Sequence, residues 1–111
     1  MIEYITGKIT NLTPAEAVIE TTGIGYLLFI SLNTYSSLQD KEEGTLYIHE
    51  DIREDTHNLF GFYSTLERDI FRLLIGISGV GGQTARMILS AFTPKISLEL
   101  FRVIIFGVLK A

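Results

Sequence analysis

The sequence predicts an α+β protein: a five-stranded β-barrel over residues 1–63, followed by an all-helical module over residues 64–111. Three observations carry this reading. Apolar and polar residues alternate in short runs up to residue 63, apolar residues recur at helical spacing after residue 64, and Gly, Pro and Asn fall where one run gives way to the next. A chain of 111 residues is the size of one compact domain or of two very small modules, not of a multidomain enzyme. At that length folding buries only about two-thirds of the unfolded surface, so a modest core is expected.

Ile2, Tyr4, Gly7 and Ile9 predict an opening strand that ends in a turn at Asn11-Leu12-Thr13-Pro14. Ala17-Val18-Ile19-Glu20 forms the second strand. Gly23-Ile24-Gly25 then makes a turn-rich spacer before a third strand over residues 26–31, both glycines being free to take the positive φ of hairpin turns. Residues 33–39 lack strand alternation and read as a short helix, and a charged turn follows over residues 40–44. Leu46, Ile48, Glu50 and Ile52 alternate with Tyr47, His49, Asp51 and Arg53 as a fourth strand, and residues 58–63 supply the fifth. Five short strands with a small helix between the third and fourth is the element order of an OB-fold barrel, with an SH3-like barrel as the alternative.

From Thr65 the period changes. Ile70, Phe71, Leu73, Leu74 and Ile77 recur at helical spacing, with Ser64 as N-cap and Glu67 three residues on. Ser78-Gly79-Val80-Gly81-Gly82 interrupts the helix. Residues 83–92 resume it with Ala85, Ile88, Leu89 and Phe92 on one face; Pro94 ends that segment, and Ser97 caps a third helix running towards Phe106. The sequence shows no repeat, no low-complexity segment and no long linker between the halves.

Composition excludes several function classes. The chain has no Cys, which removes disulfides, thiolate zinc sites and cysteine nucleophiles and fits a reducing compartment. The amino terminus has no basic and apolar leader pattern, and the apolar run over residues 103–109 is far shorter than the roughly 20 residues of a membrane span. These features read as a soluble, cytoplasmic protein. The net charge of −4 argues on its face against nucleic acid, whose affinity comes largely from Lys and Arg neutralising phosphates. By halves the picture changes: residues 1–63 hold three basic and ten acidic residues, residues 64–111 six basic and three acidic. Such asymmetry points to nucleic-acid or partner binding, the alternative being that the helices simply carry Arg on a solvated face.

The glycine-rich interruption is the most informative stretch. Gly79 and Gly81 allow a tight reversal and bring backbone N–H groups to the surface, at the positive end of the helix that follows. Val80 would plug the groove between the two helices, and Ala85 would let them approach. This is the helix-hairpin-helix pattern, which contacts phosphates and is indifferent to base sequence; an ordinary helix–Gly–helix turn without a ligand is the alternative. No strand precedes the glycines and no Gly-Lys-Ser/Thr ending follows them, so the stretch is neither a dinucleotide fingerprint nor a P-loop, and no cofactor is expected. Glu54 and Asp55 lie where the fourth strand turns into the fifth. They read as a solvated turn, or as a fixed negative point that repels phosphate backbones. His49 and His57 flank that turn but fit no metal spacing. Tyr4, Tyr26, Tyr47, Phe60 and Phe62 could stack on single-stranded bases, although a small barrel needs most of them as core. No catalytic arrangement is visible, and no enzyme is expected in this chain.

Arg53-Glu54-Asp55, then Leu59-Phe60-Gly61-Phe62, Glu67-Arg68 and Ile77-Ser78-Gly79-Val80-Gly81, in this order and spacing, closely resemble the RuvA family of bacterial Holliday junction branch-migration subunits. Met1-Ile2, Gly7 and Gly23-Ile24-Gly25-Tyr26 extend the resemblance, which covers residues 1–92. It implies an OB-fold packed on paired helix-hairpin-helix motifs, and a flat homotetramer, or a pair of tetramers, holding four-way junction DNA in an open square. It implies further that Glu54 and Asp55 form an acidic pin at the tetramer centre. Ser78, Gly79, Val80 and Gly81 would be the phosphate-binding hairpin, with Gly82, Gln83 and Thr84 continuing into its second helix. The implied partners are the RuvB ATPase motor and the RuvC resolvase, with no membrane and no catalytic residue in this subunit. Many members carry Pro-Lys where this chain has Gly82-Gln83, which removes a phosphate-binding cation. A second Gly-x-Gly hairpin and the carboxy-terminal motor-binding domain are absent, and the chain is read as a piece of a longer one. The alternative function is an oligomerising protein-interaction module that has lost DNA binding through truncation.

Overall fold

Alternation in the first half turns one row of side chains inward, and five strands are enough to wrap that row completely. In the computed structural model, which describes residues 1–91 together with 99 and 102, these strands are β1 (Tyr4–Leu12), β2 (Glu16–Thr21), β3 (Ile24–Phe29), β4 (Glu43–Ile52) and β5 (His57–Phe62). They close in the order β1-β2-β3-β5-β4, with β4 returning to β1. Every pairing is antiparallel except β3 with β5, where Phe29 meets Phe60 in parallel. Helix α1 (Leu32–Leu38) lies between β3 and β4 in sequence. This is an OB-fold, not the SH3-like alternative. Ile5, Ala17, Ile19, Leu28, Ile30, Leu38, Leu46 and Ile48 fill the barrel.

Several boundaries differ from those the sequence predicts, each for a local reason. Strand β1 does not stop at Asn11; a bulge between Ile9 and Asn11 lets it pair with β2 as far as Leu12. The turn that follows is closed by Thr13 Oγ1, which accepts from Ala15 N–H (3.3 Å) and Glu16 N–H (3.0 Å). The β2–β3 turn is tighter than a Gly-Ile-Gly spacer: Thr22 (φ 52°) and Gly23 (φ 82°) make it alone. Gly25 instead sits within β3, so the positive φ expected there falls on Thr22. The charged turn before β4 shrinks because the strand already begins at Glu43.

Helices α2 (Thr65–Ile75) and α3 (Gly82–Ala91) make a second core with the barrel wall: Phe60, Phe62, Ile70, Phe71, Leu74, Ala85 and Leu89. The Phe71 ring stands 4.9 Å from those of both Phe60 and Phe62. Leu73, expected on the buried face, is 43% exposed. The buried face of α2 includes instead two charged residues, Glu67 and Arg68. Phe92, Pro94, the Ser97 cap and Phe106 lie outside the described residues; of the expected third helix Glu99 and Arg102 are described, both helical and 3.6 Å apart as an exposed i,i+3 ion pair.

The joint between barrel and helices is polar. Ser64 Oγ caps α2 by accepting from Glu67 N–H at 3.2 Å. The Glu67 carboxylate does not complete the capping box, however. It is 2% exposed and accepts from Ser31 Oγ (2.9 Å) and Thr34 Oγ1 (2.6 Å) at the start of α1. Ser31 also caps α1 through Thr34 N–H, and Thr34 Oγ1 accepts from Tyr63 N–H at 3.1 Å. One buried carboxylate thus ties together α1, the end of β5 and α2.

Candidate nucleic-acid interface

Helix α2 ends at Gly76, whose N–H reaches Leu73 C=O, and the chain reverses through residues 77–81 before α3 begins. Gly79 takes φ +87° with nothing within 4 Å of where its Cβ would be. Gly81 has equally open space but an ordinary φ. Gly82 serves a different purpose: a Cβ there would stand 2.7 Å from Phe60 Cζ, so its bare backbone lets α3 start directly on the barrel. Val80 is half-buried against the second core, filling the groove as its position predicts, and Ala85 is wholly buried.

The backbone donors at this turn divide into two sets. Val80 N–H is taken by Ile77 C=O at 3.1 Å. The first intrahelical bond of α3 runs from Ala85 N–H to Gly81 C=O at 2.9 Å. The N–H groups of Gly82, Gln83 and Thr84 therefore lie ahead of the helical ladder, where orphan donors and the positive end of the helix dipole coincide. Replacing Gly79 by Ala is expected to cost about 1 kcal/mol or more, because the new side chain must adopt a left-handed backbone. Gly81→Ala should melt at or above the parent temperature, since nothing there resists a methyl group. Thermal denaturation of the two variants side by side checks this contrast.

The acidic tip stands across a cleft from this turn. Residues 53–56 connect β4 to β5, closed by Arg53 N–H donating to Thr56 C=O at 2.8 Å, with Glu54 and Asp55 exposed. Asp51, Arg53, Asp55, Thr56, Asn58 and Phe60 line one side of a cleft of about 440 Å³, and Gly81, Gly82, Gln83 and Thr84 line the other. Two features well separated in sequence, at residues 53–56 and 77–81, thus share one concavity. A smaller hollow continues it inward, past His49, Phe71, Ile75 and Val80. Glu54, Ser78 and Gly79 lie outside the lining of the larger cleft.

The positive charge of the second half is placed differently from what its distribution in sequence suggests. Arg68, 6% exposed, donates to Glu3 C=O and to the Glu3 carboxylate, both at 2.9 Å, and holds that carboxyl below its usual pKa. Its Nε finds no acceptor among the described residues, and the guanidinium lies over the Tyr47 ring at 5.7 Å. Arg72 donates to His49 Nδ1 (3.2 Å) and Ile48 C=O (3.4 Å), and Arg86 to Ile30 C=O (3.1 Å). These three arginines bind helices to barrel through backbone carbonyls. Neither of the two sequence readings, phosphate binding or a solvated face, describes them. Arginine's planar fork suits such partly buried carbonyl contacts, and the hydrophobic pattern alone gives no sign of them.

The remaining candidates resolve simply. Phe60 and Phe62 are buried in the second core and cannot stack on bases, whereas Tyr4 is exposed and meets Tyr47 edge-on at 6.4 Å. His49 packs on Phe71 at 5.3 Å; burial, and then Arg72 beside it, push its pKa down, and Arg72 Nε donating to Nδ1 leaves Nε2 as the nitrogen that carries the proton of the neutral ring. His57 Nε2 stands 3.6 Å from Glu50 Oε2. Among the described residues no group of His, Asp and Glu gathers as a metal site, and no helix is long and apolar enough to cross a membrane.

The class of protein this defines is an OB-fold barrel carrying two helices joined by a glycine turn, with that turn facing an acidic strand tip. The chain belongs to the RuvA N-terminal domain family, whose family model matches residues 1–61. It is 58% identical over 94 residues to the Holliday junction branch migration complex subunit RuvA of Bacteroides fragilis, covering 85% of this chain and 47% of that protein. The RuvA subunit of Parabacteroides distasonis is 56% identical over 104 residues, 94% of this chain and 52% of its own length. That of Porphyromonas gingivalis is 50% identical over 95 residues, 86% and 47% respectively. The chain spans about half the length of the curated relatives it matches.

Proposed function

We propose that the chain is the amino-terminal part of a non-catalytic subunit that binds four-way DNA junctions in branch migration. The observation that carries this is the shared cleft, where a repulsive acidic tip faces donors suited to phosphate. A junction differs from linear duplex in having strands that part at a crossover. A site that attracts phosphates on one wall and repels them on the other favours DNA whose strands diverge there. Glu54 and Asp55 act as the pin that holds strands apart. Ser78, Gly79, Val80, Gly81, Gly82, Gln83 and Thr84 form the phosphate-binding hairpin, in which the N–H groups of Gly82, Gln83 and Thr84 make the contacts. Residues 1–63 are the OB-fold domain and residues 64–111 the beginning of the helix-hairpin-helix domain. The full subunit works in the cytoplasm as a homotetramer or a pair of tetramers, as the platform for the RuvB ATPase and with the RuvC resolvase.

The test is a gel-shift comparison of four-way junction with linear duplex of equal length at fixed salt, using this chain and a full-length relative in parallel. Preference for the junction supports the proposal, and equal affinity of the full-length protein for both overturns it. Glu54→Gln with Asp55→Asn should bind the junction equally or several-fold more tightly, and duplex markedly more tightly, because phosphate repulsion is relieved. Clearly weaker junction binding by the folded double variant would remove the pin. A second reading, an oligomerising interaction module, draws on the inward use of Arg68, Arg72 and Arg86, the arginines of α2 and α3. Light scattering that finds an oligomer, together with no DNA affinity in the full-length protein, favours that reading.

A further inference from the structure

Arg72 and His49 meet between α2 and β4 in an arrangement that only one protonation state of the ring permits. Arg72 Nε donates to His49 Nδ1 at 3.2 Å, and a guanidinium has no acceptor to offer in return. Nδ1 must therefore present a bare lone pair. A proton there would set one N–H against another and place a second cation beside the first. The other charged groups around the ring are already engaged. Arg68, which also faces His49 from α2, is held by Glu3 C=O and the Glu3 carboxylate, both at 2.9 Å. On β4, Glu50 accepts from Ile2 N–H at 2.6 Å and stands 3.6 Å from His57 Nε2, while Asp51 pairs with Arg53 at 3.4 Å. Phe60 of β5 and Val80, Gly81 and Gly82 beside the ring carry no titratable group. The loosest contact is the second bond of Arg72 itself, from Nη2 to Ile48 C=O at 3.4 Å.

We propose that the Arg72–His49 hydrogen bond is an acid-sensitive latch, which holds α2 against β4 while the ring is neutral and opens when Nδ1 gains a proton. The proton comes from water, and Arg72 withdraws with its charge unchanged. Arg72 is the member that moves, because Arg68 is tied at shorter distances. A hollow of about 140 Å³ beside His49, leading out to the larger cleft, gives the imidazolium access to water. Phe71, Ile75 and Val80 line the same hollow, so α2 and the glycine turn are loosened together, whatever the turn binds. Burial of the ring, and then Arg72 beside it, favour the neutral form in the closed state. The contribution of the latch is therefore complete above the open-state value of about 6.5, and is lost as pH falls through the lower value of the closed state.

The test is NMR of the ¹⁵N-labelled chain from about pH 8 to about pH 5, with amide hydrogen exchange measured at each step. At the upper end the His49 ring should carry its proton on Nε2, with the Arg72 Nε–H signal resolved. As the ring titrates, that signal should vanish and the protection of the α2 amides should fall. The loss should reach about tenfold for each pH unit by which the midpoint lies below about 6.5. His49→Asn sets an amide oxygen near the place of Nδ1 and takes up no proton in this range, so α2 should stay protected throughout. Arg72→Met removes donor and charge; His49 should then titrate closer to about 6.5, and α2 protection should no longer follow it. Glu67 is common to all three proteins, so its own titration cancels in the comparison. A proton on Nδ1 at the upper end overturns the latch, as does an Arg72 Nε–H signal that persists through the titration of His49. So does a His49→Asn variant that loses α2 protection with acid as the parent does.

Discussion

Phe71→Ala is expected to lower the stability of the chain by about 3–5 kcal/mol, the usual loss for a fully buried aromatic ring. Phe71 is the one aromatic residue of α2, and it stands within 4.9 Å of two rings from β5 and 5.3 Å from His49. Truncation opens a cavity between barrel and helices, in the layer that orients the glycine turn. The barrel core of Ile5, Ile19, Leu28 and Leu46 belongs to a separate cluster and remains intact. Urea denaturation followed by circular dichroism should give the lower midpoint. Hydrogen exchange should show α2 and α3 losing protection before β1 and β2. Uniform loss across both regions would mean that the two cores unfold as one cooperative unit.

The second large effect is expected at Glu67. Glu67→Ala removes the acceptor for Ser31 Oγ and Thr34 Oγ1 in a site closed to water, at a cost of about 3 kcal/mol. Glu67→Gln keeps an acceptor oxygen and similar volume, and should lie within about 1 kcal/mol of the parent near neutral pH. Glu67→Gln also differs from the parent in its pH dependence. Burial raises the Glu67 pKa, and the hydrogen bonds from Thr34, Ser31 and Asn33 only partly oppose it. A carboxyl whose folded pKa lies above its unfolded value contributes stability that is complete below the unfolded value, about 4.3, and is lost as pH rises through the folded pKa. The parent should therefore weaken relative to Glu67→Gln as pH rises from about 4 to 8. Thermal melts of both proteins across that range give the sign. A parent that strengthens relative to Glu67→Gln over the same range would show that the hydrogen bonds outweigh burial.

Much of the fold was legible because strand alternation and helix periodicity are local signals. The OB-fold followed from five strands and the position of α1 along the chain, and the glycine turn and acidic tip were read directly from residues 53–56 and 78–82. What the sequence did not show were contacts between distant residues whose side chains have more than one use. Glu67 at the third helical position signals a capping box, and nothing local reveals that Ser31 and Thr34 stand ready to take its carboxylate. Arg68, Arg72 and Arg86 enter the sequence only as part of a basic second half, and only the packed structure turns them towards carbonyls just before β1, within β4 and just after β3. Gly82 reads in sequence as one more residue of the glycine-rich interruption, while its role is set by the Phe60 ring beneath it.

Strand β5 has no solvent side where the two cores meet. Phe60 and Phe62 face the helices, and Gly61 lies against Leu28 and Leu46 of the barrel interior. Mechanically, this makes the strand a shared wall that couples two bodies in shear. A pull on the glycine turn is passed through Gly82 and Phe71 into β5, and from there along ladders to β3 and β4 on either side. The β4 ladder runs through six residue pairs, from Tyr47–Phe62 to Ile52–His57, so a load on the turn is spread along that strand and not borne by the helices alone.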